Sequence, residues 1–269
     1  AWRISNENFM KSADFLNDLK IRASVGMLGN DGVPEYAFLS TYSRYGQKVG
    51  YRMVDGSAAF NPAYKPDVVP SLNLSWERYL SYNVGFDATL WDGLLGMEVD
   101  GFYNYTYEIL TGQGSGFPAS MGGYYPTYIN YPAIDAKGVD LMVTHKNQFS
   151  LGGKPFFYGV SASLTYSKTR WIKYKDNPEV SDNRKIVGKT YGSITGWKTD
   201  GLFRSEEEID NSAWWGSRPN VGDIKFVDIN GDGKIDYDDW GYFGRSNRPE
   251  LTFGLNLNFE WNGFDFKAQ

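Results

Sequence analysis

The sequence contains no cysteine and a single histidine, His145, among its 269 residues. The first absence removes disulfides and thiolate metal sites, and fits a compartment where folding does not rely on them. The second leaves little for nucleophilic catalysis, because no Ser or Cys constellation surrounds His145. A glycan hydrolase would also need two carboxylates facing each other across a cleft. Glu206, Glu207 and Glu208 are adjacent and read as a solvated helix start with Ser205 as its N-cap. These absences point away from an enzyme. A net charge of −5 without a basic cluster argues against a nucleic-acid surface. No stretch of about eighteen apolar residues occurs, so no transmembrane helix is expected, and mean hydropathy is −0.47. A membrane is not thereby excluded, because a barrel strand is apolar only at every second position. No signal peptide is present, and the opening Ala1-Trp2-Arg3-Ile4-Ser5 reads as the interior of a longer protein.

Aromatic rings and glycine are abundant: 20 Tyr, 17 Phe, 9 Trp and 31 Gly. Rings in such number suit pleated, half-buried surfaces and membrane-interface belts. Segments alternating apolar and polar with period two recur along the chain, which is the mark of strands. They are 19–25, 80–90, 95–103, 139–144, 158–166, 251–261 and 264–267. This reads as an all-β, antiparallel architecture.

Short connections lie at 91–94, 147–155 and 262–263, carrying Asp92-Gly93, Gly152-Gly153 and Asn262-Gly263. Long excursions lie at 26–74, 108–137 and 167–250. Tracking strand direction puts every short turn at one end of the sheet and every long excursion at the other. Outer-membrane barrels sort their connections this way, with short periplasmic turns and long extracellular loops. The faces agree. Lys20, Arg22, Asn83, Asp87, Glu98, Asp100, Asp140, Asn256 and Glu260 would line a watery lumen. Tyr82, Val84, Phe86, Leu90, Val160, Leu164, Leu255, Leu257 and Phe259 would face lipid. Trp91 and Trp261 adjoin short turns as an inner aromatic girdle, and Trp76 and Trp171 lie near the other ends. About seven strands are too few to close a wide barrel, so the chain reads as part of a larger one. Trp2 to Asp18 reads as a periplasmic turn after an earlier strand, with a short helix over Glu7 to Leu16.

The sharpest chemical signal is 228–239, Asp-Ile-Asn-Gly-Asp-Gly-Lys-Ile-Asp-Tyr-Asp-Asp. Asp228, Asn230, Asp232, Asp236 and Asp239 place side-chain oxygens at positions 1, 3, 5, 9 and 12 of a calcium loop. Lys234 offers its carbonyl at position 7, and Gly233 stands at the sharp turn of position 6. The flanks are β-prone, so this is no EF-hand. The two readings are a structural Ca2+ site and a solvated acidic turn without metal.

Several stretches resemble the barrel of the SusC/RagA family of TonB-dependent outer-membrane transporters of Bacteroidota. They are Trp2-Arg3-Ile4-Ser5-Asn6-Glu7 ahead of Leu19-Lys20-Ile21-Arg22-Ala23-Ser24; Leu74-Ser75-Trp76-Glu77-Arg78 ahead of Asn83-Val84-Gly85-Phe86-Asp87; and Ala136-Lys137-Gly138-Val139-Asp140-Leu141. Gly196-Trp197-Lys198-Thr199-Asp200-Gly201-Leu202-Phe203 and Gly222-Asp223-Ile224-Lys225, followed by the acidic loop, complete the series. The resemblance implies one domain over 1–269, part of a 22-stranded transmembrane barrel with a plugged lumen. Plug, TonB box and final strands are expected to lie outside it. It also implies residence in the bacterial outer membrane, and import of an oligosaccharide or peptide under a SusD-like surface lipoprotein, powered through TonB. The calcium loop would then stiffen the extracellular loop 167–250. Tyr124, Tyr125, Tyr128, Trp197, Trp214, Trp215 and Trp240 are candidates for glycan stacking or lid contact, with ordinary packing as the alternative for each. The rival reading of the whole chain is a secreted carbohydrate-binding module with structural calcium.

Overall fold

A computed structural model of the protein describes residues 1–33, 35–52, 58–112, 120 and 128–269. In chain order the elements are β1 (Trp2–Arg3), two 3-10 turns (Ile4–Asn6 and Asn8–Met10), β2 (Leu16–Asn30), β3 (Thr41–Arg52), β4 (Ala58–Val68), β5 (Glu77–Leu90), β6 (Leu95–Tyr107) and β7 (Leu110–Gly112). They continue with β8 (Tyr128–Asn130), β9 (Ala133–Leu151), β10 (Lys154–Lys173), β11 (Ser193–Trp197), β12 (Thr199–Leu202), α1 (Glu206–Asp210), β13 (Ile224–Phe226), β14 (Trp240–Ser246), β15 (Leu251–Trp261) and β16 (Phe264–Ala268). The principal sheet has eight strands in the order β1-β2-β5-β6-β9-β10-β15-β16.

Eight strands replace the seven expected, because Trp2 and Arg3 pair with Ile21 and Lys20 of β2. The opening residues are therefore strand and not turn. The helix expected over Glu7 to Leu16 is also absent, and the two 3-10 turns stand in its place. Neither turn has a side-chain cap, and so short a segment cannot offset the cost of nucleating an α-helix. β9 and β10 run for 19 and 20 residues, well past their alternating stretches, since a hydrogen-bonding neighbour overrides weak local pattern. A bilayer needs only about ten residues of tilted strand, so these strands outreach the hydrocarbon.

The short turns are as the sequence suggests. Trp91, Asp92 and Gly93 take positive φ of 50°, 56° and 84°, and Leu94 N–H donates to the Trp91 carbonyl at 3.0 Å. Asn262 and Gly263, with φ of 49° and 83°, make the primed hairpin turn that matches strand twist. The second turn tightens from 147–155 to Gly152-Gly153, with φ of 61° and 76°. The long connections leave from the opposite end, and the first contains the β3–β4 hairpin.

The chain divides into two compact units, one of Ala1–Met27, Leu80–Tyr105 and Ile134–Gln269, the other of Leu28–Tyr79 and Thr106–Ala133. The second unit is knotted around Asn130. Its side chain accepts from Ser75 N–H at 2.8 Å and donates to the carbonyls of Ser75 and Glu108 at 2.7 and 2.8 Å. Glu77 accepts from Leu110 N–H and from Asn30 Nδ2, both at 2.8 Å. Trp76, expected in an outer girdle, lies over Gly29, where a Cβ would meet its ring at 2.9 Å.

In the first unit the two faces of the sheet differ in chemistry. On one face Arg22 Nη2 pairs with Asp87 and with Asp100, both at 2.7 Å, and Lys20 reaches Asp87 at 3.3 Å. Ser81 donates to Asn104 on the same side of β5 and β6 at 2.7 Å. On the other face Val84 is 61% exposed and Phe253 78%. Val160, Ala162 and Leu164 stand opposite Leu257, Leu255 and Phe253. Among the described residues the buried apolar side chains are few: Pro132, Ala133, Phe203, Ile209 and Ile235. This wall does not turn its apolar side inward. Near the short turns, Phe149, Phe156, Phe259 and Phe266 form a chain of rings with centroids 5.1, 6.2 and 5.9 Å apart, a wider girdle than the two tryptophans suggested. Trp171 packs instead on Tyr174 and Tyr191, at 5.2 Å from each.

Gly85 makes room for the charge cluster. A Cβ there would lie 2.5 Å from the Val99 carbonyl oxygen and against the Asp100 carboxylate, whereas one at Gly26 meets nothing within 4 Å. Gly85→Ala should therefore destabilise the barrel by about 1–3 kcal/mol, while Gly26→Ala should stay within about 0.5 kcal/mol. Urea unfolding of the detergent-extracted protein checks both, and equal midpoints for the two variants would contradict this account.

Candidate metal loop and its aromatic support

The acidic loop 228–239 is held at its base by two small sheets. β12 pairs with β13, Thr199 opposite Phe226, and β11 pairs with β14, Trp197 opposite Trp240. Val227 N–H donates to the Lys198 carbonyl at 2.9 Å. Both ends of the loop are thus tied to the dipeptide Trp197-Lys198. No helix flanks it, as its β-prone neighbours implied.

Inside the loop, carboxylates organise backbone. Asp228 accepts from Gly231 N–H at 2.6 Å and from Gly233 N–H at 2.7 Å. Both glycines have positive φ, 75° and 82°, where a Cβ is strained. Asn230 accepts from Asp232 N–H at 3.0 Å, Asp232 from Lys234 N–H at 2.9 Å, and Asp236 from Asp238 N–H at 2.7 Å. Asp239 is fully buried, and accepts from the N–H groups of Ile229 at 2.7 Å, Asn230 at 3.4 Å and Asp236 at 2.9 Å. Its short side chain works as an internal strut. Among the described residues no group of three or more His, Cys, Asp or Glu converges as metal ligands would. The donors present are oxygens throughout, which in chemistry and spacing suits a hard cation such as calcium.

Rings brace the loop. Trp197 Nε1 donates to the Asp236 carbonyl at 2.8 Å, and its ring lies 4.8 Å from Trp215 and 5.7 Å from Tyr237. Trp215 meets Tyr237 edge-on at 5.8 Å. Tyr237 belongs to the cluster, although its place inside the acidic run hid it from the sequence reading. Trp214 borders an adjoining hollow that it shares with Trp215, Phe203, Pro219 and Phe226. Trp240 lies tilted against Tyr242, with ring centroids 6.4 Å apart. Tyr128 lies in the second unit, its N–H directed at Ser71 Oγ at 3.4 Å, while Tyr124 and Tyr125 lie outside the described residues.

Two further devices fasten the region. Asn183 donates to the carbonyls of Asp238 and Trp240 at 2.8 and 2.9 Å, closing the loop's exit. Ser205 caps α1 by accepting from Glu208 N–H at 3.2 Å, the N-cap read from sequence. Glu208 in turn accepts from Arg204 N–H and Lys225 Nζ. The hydrogen bond from Lys225 holds the Glu208 carboxyl below its ordinary range.

No protein-family model matches the chain. Among curated proteins it is 28% identical over 287 residues to TonB-dependent receptor P26 of Formosa agariphila, covering 99% of this chain and 26% of that protein. It is 23% identical over 285 residues to TonB-dependent receptor SusC of Bacteroides thetaiotaomicron, covering 98% and 26%. The chain therefore spans about a quarter of the length of the curated relatives it matches. Among solved structures, the RagAB peptide transporter matches with a TM-score of 0.66 at 20% identity, over 99% of this chain and 28% of that one. The RagAB peptide importer in its open-open state gives 0.70 at 19% identity, over 99% and 27%. Similarity along nearly the whole chain and a shared fold agree with the inside-out faces of the sheet: the chain is a stretch of outer-membrane β-barrel similar to that of TonB-dependent receptors such as SusC, with the fold of the RagAB transporter.

Proposed function

We propose that this chain supplies wall, lumen lining and extracellular loops to an active importer of oligosaccharides or peptides. A SusD-like surface lipoprotein would close its mouth, and TonB would drive it through parts of the receptor outside this chain. The observation that carries the reading is the charged face of the wall, where Lys20, Arg22, Asp87 and Asp100 meet behind an apolar outer face. The name RagAB peptide importer, borne by a structural neighbour, favours peptides, and the resemblance to the SusC/RagA family adds oligosaccharides. Relatives are named receptors and transporters, in keeping with a role that is not catalytic. Growth of a receptor-deletion strain on defined oligosaccharides and on defined peptides tests the reading. Loss of growth on one class, together with a surface lipoprotein co-purifying with the intact receptor, is the expected result. Unimpaired growth on both classes overturns it.

The acidic loop belongs to this function as a structural clip. Ca2+ would be held by Asp228, Asn230, Asp232, Asp236 and Asp239 with the Lys234 carbonyl, offsetting repulsion between carboxylates. The rigid loop would then present Trp215 and Tyr237, 44% and 64% exposed, with Trp214 and Trp240 nearby, to lid or ligand. Terbium is a luminescent substitute for calcium, and Trp197 lies beside the loop. Terbium emission excited through tryptophan should appear in the intact receptor, fall on adding calcium, and vanish in Asp228→Ala. Emission unchanged in that variant would refute the site.

Asp239 should matter with or without metal. Asp239→Ala strips the partner from the N–H groups of Ile229, Asn230 and Asp236, at about 1–3 kcal/mol for each group left buried and unpaired. Faster amide exchange across 228–239 in metal-free buffer, with the strands of the main sheet unchanged, is the expected result. Exchange equal to wild type would show the strut to be dispensable.

A further inference from the structure

The outer face of the wall carries one groove that the barrel itself does not require. Its floor is Gly101. The neighbours of Gly101 along β6 lie on the lumen side: Asp100 pairs with Arg22, and the Phe102 ring comes within 2.5 Å of where a Gly138 Cβ would be. Gly101 therefore faces outward, where a Cβ would come no nearer than 3.7 Å to any atom, the closest being the Val84 carbonyl oxygen. The missing side chain opens a hollow of about 510 Å3 bordered by Tyr82, Val84, Tyr103, Lys137, Val139 and Tyr166. Val84 and Val139 are 61% and 44% exposed.

Depth follows from the strand. From Trp91 at the short-turn end to Tyr82, β5 climbs about 30 Å at about 3.4 Å per residue. At a tilt of about 40° that is a height of about 23 Å, close to the apolar band of an outer-membrane barrel. Tyr82 and Tyr103, with ring centroids 6.4 Å apart, thus stand at the outer interface, and the groove descends from them into the hydrocarbon. Lys137 is exposed at the same level. Among the described residues no carboxylate lies within ion-pairing distance of it, whereas Lys168 is held by Glu250 at 3.5 Å. Asp135, two positions earlier on the same face, is only 7% exposed, with its Oδ1 buried and without a hydrogen-bond partner, so Lys137 is the charge that reaches the surface.

We propose that this groove is a binding site for a phosphate-bearing lipid of the outer leaflet. One acyl chain lies over Gly101 between Val84 and Val139, and the phosphate rests on the Lys137 ammonium. A slender, flexible chain fills a channel the width of a missing side chain, and a single cation at the interface selects an anionic headgroup. The site rests on the barrel reading but adds to it, since wall strands need only a general apolar surface.

Native mass spectrometry of the intact receptor, extracted from outer membranes in mild detergent, tests the proposal. The wild type should retain a stoichiometric lipid whose mass and fragmentation show phosphate. Lys137→Gln should lower the retained fraction about five-fold, the worth of one basic residue at an anionic surface. Gly101→Leu should abolish retention by filling the channel, and Phe253→Leu, outside the groove, should leave it unchanged. Heat-modifiable migration on gels confirms that each variant has assembled. Lipid retained equally by wild type, Lys137→Gln and Gly101→Leu, or none retained by the wild type, overturns the site. A receptor absent from the outer-membrane fraction overturns the barrel reading as well.

Discussion

Backbone amides in a hydrocarbon medium have no water to bond, and everything else in this wall depends on that constraint. Each N–H and C=O must find its partner within the protein, so a membrane-crossing segment that is not helical must be a strand in a sheet. The principal sheet meets the demand by long antiparallel pairing, as between Phe156 and Tyr166 of β10 and Trp261 and Leu251 of β15. Once the backbone is satisfied, side chains are free to invert the usual arrangement. Valine, leucine and phenylalanine turn outward, and the ion pairs of Arg22 and Lys20 turn inward.

That inversion explains why so little of the chain forms a conventional core. The few buried apolar side chains of the first unit outside the wall, Phe203, Ile209 and Ile235, belong to the third connection. There the chain has left the sheet and must stabilise itself in water. It does so with short paired strands, a capped single-turn helix, and a loop whose carboxylates grip their own backbone. The Trp197–Trp215–Tyr237 cluster adds the apolar contact that a connection of this length otherwise lacks. The same residue types thus serve two purposes: rings spread across the wall as a girdle, and rings gathered beside the loop as a brace.

Glycine is placed where two backbones or a backbone and a charge come close. At Gly85 its absence of a side chain admits the Asp100 carboxylate to Arg22, and at Gly231 and Gly233 it permits the positive φ that lets N–H groups turn toward Asp228. At Gly101 the same absence leaves space unfilled on the lipid side. The chemistry is identical in the three places, and the surroundings alone decide whether it builds a bond, a turn or a groove.

Much was legible in the sequence because period-two alternation, turn dipeptides and ligand spacing are local. Asn262-Gly263 announced its hairpin, Ser205 its cap, and the order of short and long connections the orientation of the strands. What local pattern does not encode is pairing. Trp2 and Arg3 look like a turn until β2 offers them hydrogen bonds. β9 and β10 run past their alternating cores because neighbouring strands continue. Phe149, Phe156 and Phe266 gave no signal singly and became a girdle only when register aligned them. The sequence by itself determined that the chain is β-structured, two-faced and carries an oxygen-rich loop, since those properties follow from residue order alone. Only the tertiary structure decided that Asp239 is a buried strut, that Tyr237 joins two tryptophans, and that Gly101 and Lys137 share one hollow. Each of those depends on residues distant in the chain meeting in space.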